Sequence, residues 1–194
     1  MKFFYLFFIG LFFTYGCTKD KVSCTKWHRV TRADFQVDYS SVAEETNADE
    51  LLEQYPQLAL FRILDDDKAA GIFCYHYYNG LRLITEKYTR LVGRLHSGTS
   101  EIGSKELLDI DINTDPTVSE IKAISLAIKN QPVLQNHCLD IELVIDDRNH
   151  YNSLSDTSDY YLAWIVENGI NGKPSIKIDA TTGSILSIDD GKRF

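Results

Sequence analysis

The stretch YYLAWIVENGINGKPSIKIDATTGSILSIDDG, residues 160–191, alternates apolar and polar side chains in three short segments. The apolar positions are Tyr160, Leu162, Trp164, Val166, Ile176, Ile178, Leu186 and Ile188. A period of two is typical of half-buried strands. The intervening segments contain Asn-Gly pairs and the Asp-Ala-Thr-Thr-Gly sequence, which favour reversals of the chain. We therefore predict a three-stranded antiparallel sheet.

A helix and a further strand precede this sheet. Pro116 and the pair Thr117 and Glu120, spaced as a capping box, indicate a helix start, and Gln131-Pro132 indicates its end. Residues 139–145 again alternate and predict a strand. A helix packed on an antiparallel sheet is an α+β unit, which we assign to residues 113–194.

The first half predicts a second unit of the same kind over residues 47–112. Asn47 and Glu50 indicate the start of a short helix, and residues 57–64 a strand. The pair Asn79-Gly80 predicts a type I′ hairpin between two strands within residues 71–92. We expect a loop over residues 96–104 and a short strand over residues 107–112. The predicted fold class is therefore α+β with two small units.

The composition excludes one class of function. The chain has 194 residues, of which 44% are hydrophobic and 25% charged, an ordinary balance for a globular protein. Its net charge of −8 repels phosphate backbones, and no basic stripe interleaved with aromatic residues is present. We therefore expect no nucleic-acid partner.

The first residues, MKFFYLFFIGLFFTYGC, resemble the signal of a bacterial lipoprotein. An apolar run too short to span a membrane is followed by Gly16 and Cys17. We expect residues 1–16 to be removed, Cys17 to carry lipid, and residues 17–46 to form a tether. The protein is then a membrane-anchored lipoprotein of the cell envelope, periplasmic or surface-exposed, with its side of the outer membrane left open.

Export permits a disulfide bond, because the compartments outside the cytoplasm are oxidising. With Cys17 lipidated, Cys24, Cys74 and Cys138 remain, and three thiols form one bond at most. The sequence leaves the pairing open. It contains no CxxC pair, so we expect no zinc site.

Three motifs in this order resemble the prosegment of thermolysin-like metallopeptidases, a fungalysin/thermolysin propeptide domain followed by a PepSY domain. The first is the hairpin YHYYNGLRL at residues 75–83, and the second is the helix start DPTVSEIKAISLA at residues 115–127. The third comprises the strands YYLAWIVE and IKIDATTGSIL at residues 160–167 and 176–186. Tyr75 and His76 stand where the family usually has two glutamines. The resemblance implies a cystatin-like α+β second half and a protein partner.

Residues of a catalytic or metal site are not recognisable in the sequence. The five histidines include no pair four residues apart, so the HExxH zinc motif is missing. Cys74 and His76 are two residues apart on one predicted strand, and we interpret them as a half-buried thiol and a hydrogen-bonded histidine. The acidic groups around Asp66 and Asp147 are interpreted as solvated turns rather than calcium ligands. We therefore expect no enzyme activity, no metal and no cofactor.

These observations predict an exported, lipid-anchored binding protein that inhibits a secreted zinc metallopeptidase or aids its folding in trans. The alternative is a surface structural or adhesion module with no peptidase partner. The candidate partner contacts are Tyr75, His76, Asp189 and Asp190. We expect the tail after Ile188 to reach the peptidase cleft, where Asp189 or Asp190 would approach the metal. The oligomeric state is left open.

Overall fold

The computed structural model describes residues 27–95, 98–105, 110–149, 159–170 and 172–191. Its class is α+β, with helices packed against one large and mostly antiparallel sheet. The strands are β1 (Trp27–Arg29), β2 (Leu58–Asp65), β3 (Ala69–Tyr78), β4 (Leu81–Gly93), β5 (Gly98–Ile102), β6 (Leu139–Asp147), β7 (Tyr160–Asn168), β8 (Ser175–Asp179) and β9 (Ile185–Asp189). The α-helices are α1 (Ala43–Thr46), α2 (Ala48–Gln54) and α3 (Glu120–Asn130), and two 3-10 helices cover Arg32–Phe35 and Pro132–Asn136.

The strands pair in the order β2-β3-β4-β6-β7-β8-β9, so β2 and β9 are the two ends of the sheet. In addition, β5 pairs with β4 and β1 pairs with β6. The pairs β4–β6 and β1–β6 are parallel, and the other pairs are antiparallel.

The C-terminal meander predicted from the alternation is confirmed. Antiparallel β7, β8 and β9 follow one another, and Trp164 lies opposite Ile178 with only 2% of its surface exposed. One part of the prediction is wrong, because Leu186 and Ile188 are 39% and 49% exposed. A register shift after Lys177 places Ile185 opposite Ile178, so Ile185, not Leu186, packs against the core.

Helix α3 begins later than its predicted capping box. The N-cap is Ser119, whose side chain accepts a hydrogen bond from the backbone N–H of Lys122. Val118 is held by the sheet instead, since its N–H donates to the Ala180 carbonyl and its carbonyl accepts from Trp164 Nε1, both at 2.8 Å or less. These two contacts from the sheet remove Val118 from the helix.

The expected hairpin is present, but the predicted loop is wrong, and the predicted strand is absent from the part of its range that the structure describes. Asn79 and Gly80 have φ values of 49° and 81°, as a type I′ turn requires. The predicted loop over residues 96–104 contains β5, because Gly98–Ile102 pairs with residues 89–93 of β4. A strand was predicted over residues 107–112. The structure describes residues 110–112 of this range, and they form no regular secondary structure.

Buried apolar side chains form two clusters. The cluster in the first half includes Leu58, Ile72 and Tyr88, and the cluster in the second half includes Trp164 and Leu83. Leu83 comes from β4 and reaches the second cluster because β4 pairs with β6. That pairing joins the two halves in one sheet, so their separation into two helix-on-sheet units stays a prediction.

The segment expected to be a tether is partly folded. Within it, β1 pairs with β6, and Val42 is fully buried in the first cluster. The sequence did not indicate these contacts. The segment is polar, and β1 is only three residues long and pairs with a strand more than a hundred residues away. The predicted signal peptide, Cys17 and Cys24 lie outside the described residues.

The two described cysteines differ in state. Cys138 is disulfide-bonded, whereas Cys74 is a free, fully buried thiol, so Cys74 is not the partner of Cys138. Burial raises the pKa of the Cys74 thiol to about 12. Within the described part of the chain, no helix is long and apolar enough to span a membrane.

Candidate binding surfaces

Strand β9 forms an open edge of the sheet. It pairs with β8 on one side, and no strand among the described residues pairs with its other side. The two apolar side chains Leu186 and Ile188 project into solvent along this edge. An edge strand with unpaired backbone groups and exposed apolar side chains is a template for the addition of another strand.

The C-terminal end of β9 is held to the body of the protein. The Asp189 carboxylate accepts a hydrogen bond from Lys173 Nζ at 2.6 Å and another from the Gly191 N–H at 2.9 Å. These contacts hold the pKa of Asp189 below its usual value. Asp190 is exposed, and residues 192–194 lie outside the described residues. For Asp189 to reach a metal in a partner, it would have to leave Lys173.

The opposite edge, β2, is blunted by two features. Arg32 Nη2 donates a hydrogen bond to the Leu58 carbonyl at 2.8 Å, and the register of β2 shifts between Leu60 and Arg62. Irregularities of this kind interrupt the regular spacing that a further strand needs. Compared with β2, β9 is therefore the better template for strand addition.

An open cavity of about 620 Å³ lies between β2 and the segment Arg32–Tyr39. Apolar side chains dominate its lining, including Val37, Leu52 and Leu60, and the polar groups of Arg32 and Gln36 face it as well. Such a lining can bury apolar atoms, but it offers no acid–base pair for catalysis.

A cluster of rings and cations lies on the side of β2, β3 and β4 opposite the first apolar cluster. We call it the aromatic–basic face and define it as Phe61, Arg62, Phe73, Tyr75 and Lys87. Phe61 stacks on Tyr75 with a centroid distance of 3.8 Å and lies 6.5 Å from the Phe73 ring. The Arg62 guanidinium lies 5.0 Å from the Phe73 centroid, and Lys87 Nζ lies 5.6 Å from that of Tyr75. The three rings are half-buried, and both cations are exposed.

A buried ion pair supports this face. The Arg82 guanidinium lies 4.6 Å from the Tyr75 centroid and donates two hydrogen bonds to Glu142, at 2.8 and 2.5 Å. Nearby, burial raises the pKa of Glu167, and the negative charges of Asp140 and Glu142 raise it further. The carboxyl groups of Asp140, Glu142 and Glu167 thus lie near one another on β6 and β7.

The predicted partner contacts Tyr75 and His76 do not lie together. Tyr75 belongs to the aromatic–basic face, whereas His76 is only 2% exposed and its Nε2 lies 2.7 Å from the Ser104 carbonyl. A histidine buried in this way cannot touch a partner, so that part of the prediction is wrong. Cys74 is buried as well, and its raised pKa disfavours the thiolate that a nucleophile needs.

Asp146 and Asp147, two of the acidic residues considered as calcium ligands, are used in internal contacts. The Asp146 carboxylate accepts hydrogen bonds from Tyr161 Oη and Lys177 Nζ, both at 2.6 Å. Asp147 Oδ1 accepts from the backbone N–H groups of Asn149 and Asp159. Over the ranges that the structure describes, no three potential metal ligands come together.

Sequence reasoning missed four of the five residues of the aromatic–basic face. A signal was present, because Phe73 and Tyr75 alternate on one predicted strand and therefore share a face. Arg62 and Lys87 lie on the neighbouring strands, opposite Phe73 and Tyr75 respectively. Identifying them requires the register of β2 and β4 against β3. The alternation of side chains along one strand does not predict that register.

Comparisons with known proteins leave the family open. No family model matches the chain, and no curated protein matches it. A solved structure, the Bacillus megaterium YpeB C-terminal domain, is similar with a TM-score of 0.45 and 14% sequence identity. The similarity covers 79% of this chain, and this chain spans 65% of the length of that one. At this level of similarity neither a family nor an activity is assigned, so function has to be argued from the residues themselves.

Proposed function

We propose that the chain is an exported, lipid-anchored, non-enzymatic protein that binds a secreted zinc metallopeptidase in trans and inhibits it or aids its folding. The observation that carries the binding part is the open β9 edge with its exposed Leu186 and Ile188. The peptidase as partner follows from the resemblance of the three sequence motifs to a metallopeptidase prosegment.

Binding at this edge proceeds by strand addition. An extended segment of the peptidase pairs with the free N–H and C=O groups of β9, which supply most of the affinity. Leu186 and Ile188 then lose their exposed surface to the partner, which adds hydrophobic stabilisation. The ion pair of Lys173 with Asp189 holds the C-terminal end of β9 in place for this pairing.

The edge can be tested with lysine substitutions. The mature chain with Cys17→Ser is assayed for inhibition, and for recovery of activity on refolding, of thermolysin-like peptidases secreted by the same cells. Adding Leu186→Lys and Ile188→Lys is expected to weaken the effect by about tenfold or more, since charged side chains on an edge oppose strand addition. The matched control is Ile170→Lys, which alters a 79% exposed side chain in the β7–β8 connection and is expected to have no effect.

Three results would count against this proposal. If the parent protein neither inhibits nor refolds any of the peptidases, the partner assignment fails. If the edge variant is as active as the parent, the β9 edge is not the docking surface. An equal loss with Ile170→Lys would show that added positive charge, rather than the edge, is responsible.

The lipid anchor gives a separate expectation. The mature protein is expected to begin at lipidated Cys17 and to sediment with membranes, because several acyl chains give stable attachment. Cys17→Ser is expected to move the protein to the soluble fraction. Wild-type protein that is already soluble after export would disprove the anchor.

The alternative function, a surface structural or adhesion module, is favoured by a different observation. The aromatic–basic face presents three half-buried rings and two exposed cations on one side of β2–β4. This face does not include β9, so the two functions depend on separate surfaces and can be tested separately.

A further inference from the structure

We propose that the aromatic–basic face is a binding site for an acidic polysaccharide. This site is independent of the peptidase proposal, since it uses residues of β2, β3 and β4 and none of β9.

The two cations of this face are available for an external anion. Arg62 and Lys87 contact rings, and no carboxylate of the described residues lies within ion-pair distance of either. Other arginines of the sheet are occupied: Arg82 pairs with Glu142, and Arg90 pairs with Glu101. In a protein of net charge −8, two exposed cations without an acidic partner form a local positive surface.

The rings hold these cations in place and add an apolar surface. Arg62 rests on Phe73 and Lys87 on Tyr75, so each cation is partly ordered before any ligand binds. Phe61 covers one face of the Tyr75 ring and the Arg82 guanidinium lies 4.6 Å from its centroid, so the half-buried ring of Phe61 supplies most of the apolar surface beside the two cations. Ligand sites commonly combine aromatic side chains with a small number of placed polar groups. The C–H faces of a sugar ring can pack on such a surface while its carboxylate reaches a cation.

The spacing of the cations favours a polymer over a single sugar. Arg62 on β2 lies opposite Phe73, and Lys87 on β4 lies opposite Tyr75. The two cations are therefore on strands separated by β3 and are offset by two residues along the strand direction. Their backbone positions are therefore about 12 Å apart. Two acidic groups of one chain, separated by more than the width of one ring, would contact both cations.

The backbone of this face argues against a peptide ligand. The ladders of β3 with β2 and with β4 use the backbone groups of the central strand, so recognition depends on side chains. Those side chains offer donors and ring faces but few acceptors. A peptide laid across them brings a backbone N–H donor at nearly every residue, for which this face has few acceptors, whereas the carboxylate and ether oxygens of an acidic polysaccharide are acceptors that match the donors of the face.

The test measures the affinity of the mature Cys17→Ser protein for polygalacturonate, with neutral dextran and poly-glutamate as comparison probes. The variant Arg62→Gln with Lys87→Gln is expected to bind polygalacturonate about tenfold or more weakly, since two charge-assisted contacts are lost. The matched control is Arg148→Gln, which removes an arginine that also lies over a ring, Tyr161, but is paired with Asp159. The control is expected to bind like the parent.

Several outcomes would overturn the proposal. One is an absence of polygalacturonate binding, and another is an equal loss in Arg148→Gln. If poly-glutamate binds as tightly as polygalacturonate, the face recognises acidic protein segments and not a sugar. Each variant is compared with the parent by thermal melting, and if the double variant does not fold, Lys87→Gln alone is expected to show a smaller loss of the same sign. Unchanged binding in a folded variant would likewise contradict the assignment.

Discussion

Trp164→Ala is expected to destabilise the protein by about 3–5 kcal/mol, the range for removal of a large buried ring. Trp164 is only 2% exposed and belongs to the second apolar cluster. Its Nε1 also donates a hydrogen bond to the Val118 carbonyl at 2.7 Å, directly before the N-cap of α3. The substitution therefore leaves a cavity and removes a contact that fixes the start of the helix. Thermal melting is expected to shift downward by about 10 °C for a chain of this size.

The matched control is Trp27→Ala, which removes the same kind of side chain from a position that is 41% exposed. A much smaller shift is expected, because the ring of Trp27 is not part of the core. Trp164→Phe is expected to fall between the two, since it keeps an aromatic ring but loses the hydrogen bond and the volume of the second ring of the indole. A melting temperature of Trp164→Ala close to that of the wild type would contradict the placement of this ring in the core.

Glu142→Ala is expected to destabilise the protein by about 3 kcal/mol, because it leaves the Arg82 guanidinium buried without its counter-ion. The side chains of Arg82 and Glu142 are only 15% and 11% exposed, and two hydrogen bonds join them. Chemical denaturation at neutral pH measures this loss. Because Arg82 also lies on the Tyr75 ring, Glu142→Ala is expected to disturb the aromatic–basic face as well.

Replacing both partners tests the cause of this loss. Arg82→Met with Glu142→Leu is expected to be less destabilising than Glu142→Ala alone, since no unpaired charge remains in the interior. Asp159→Ala, which breaks the exposed ion pair of Arg148, is the control and is expected to have little effect. If Glu142→Ala is no worse than this control, the pair is not buried as described.

Much of the fold was predictable because its signals are local. Alternating apolar side chains predicted β6, β7 and β8, and the hairpin at Asn79-Gly80 followed from the positive φ values that this dipeptide tolerates. The end of α3 before Pro132 is also a local effect, since proline at that position disfavours a continued helix. These features depend on residues that are neighbours in the chain.

The candidate surfaces were less predictable. Asp189 and Tyr75 were proposed as partner contacts, and the structure places one beside Lys173 and the other on the aromatic–basic face. Arg62 and Lys87 were missed, because cation–ring contacts across strands depend on register. The exposure of Ile188 was missed as well, since alternation does not distinguish an edge strand from an inner one.

By itself, the sequence determined the α+β class, the existence of most strands and the reversals between them. The tertiary structure alone decided that β4 and β6 pair in parallel and join the halves in one sheet, and that β1 folds against β6. It also decided that α3 is capped by Ser119 rather than Thr117. The physical reason is the range of the interactions. Turn propensity and side-chain period act over a few residues, whereas pairing between distant strands depends on which apolar faces and backbone groups meet after the chain has collapsed.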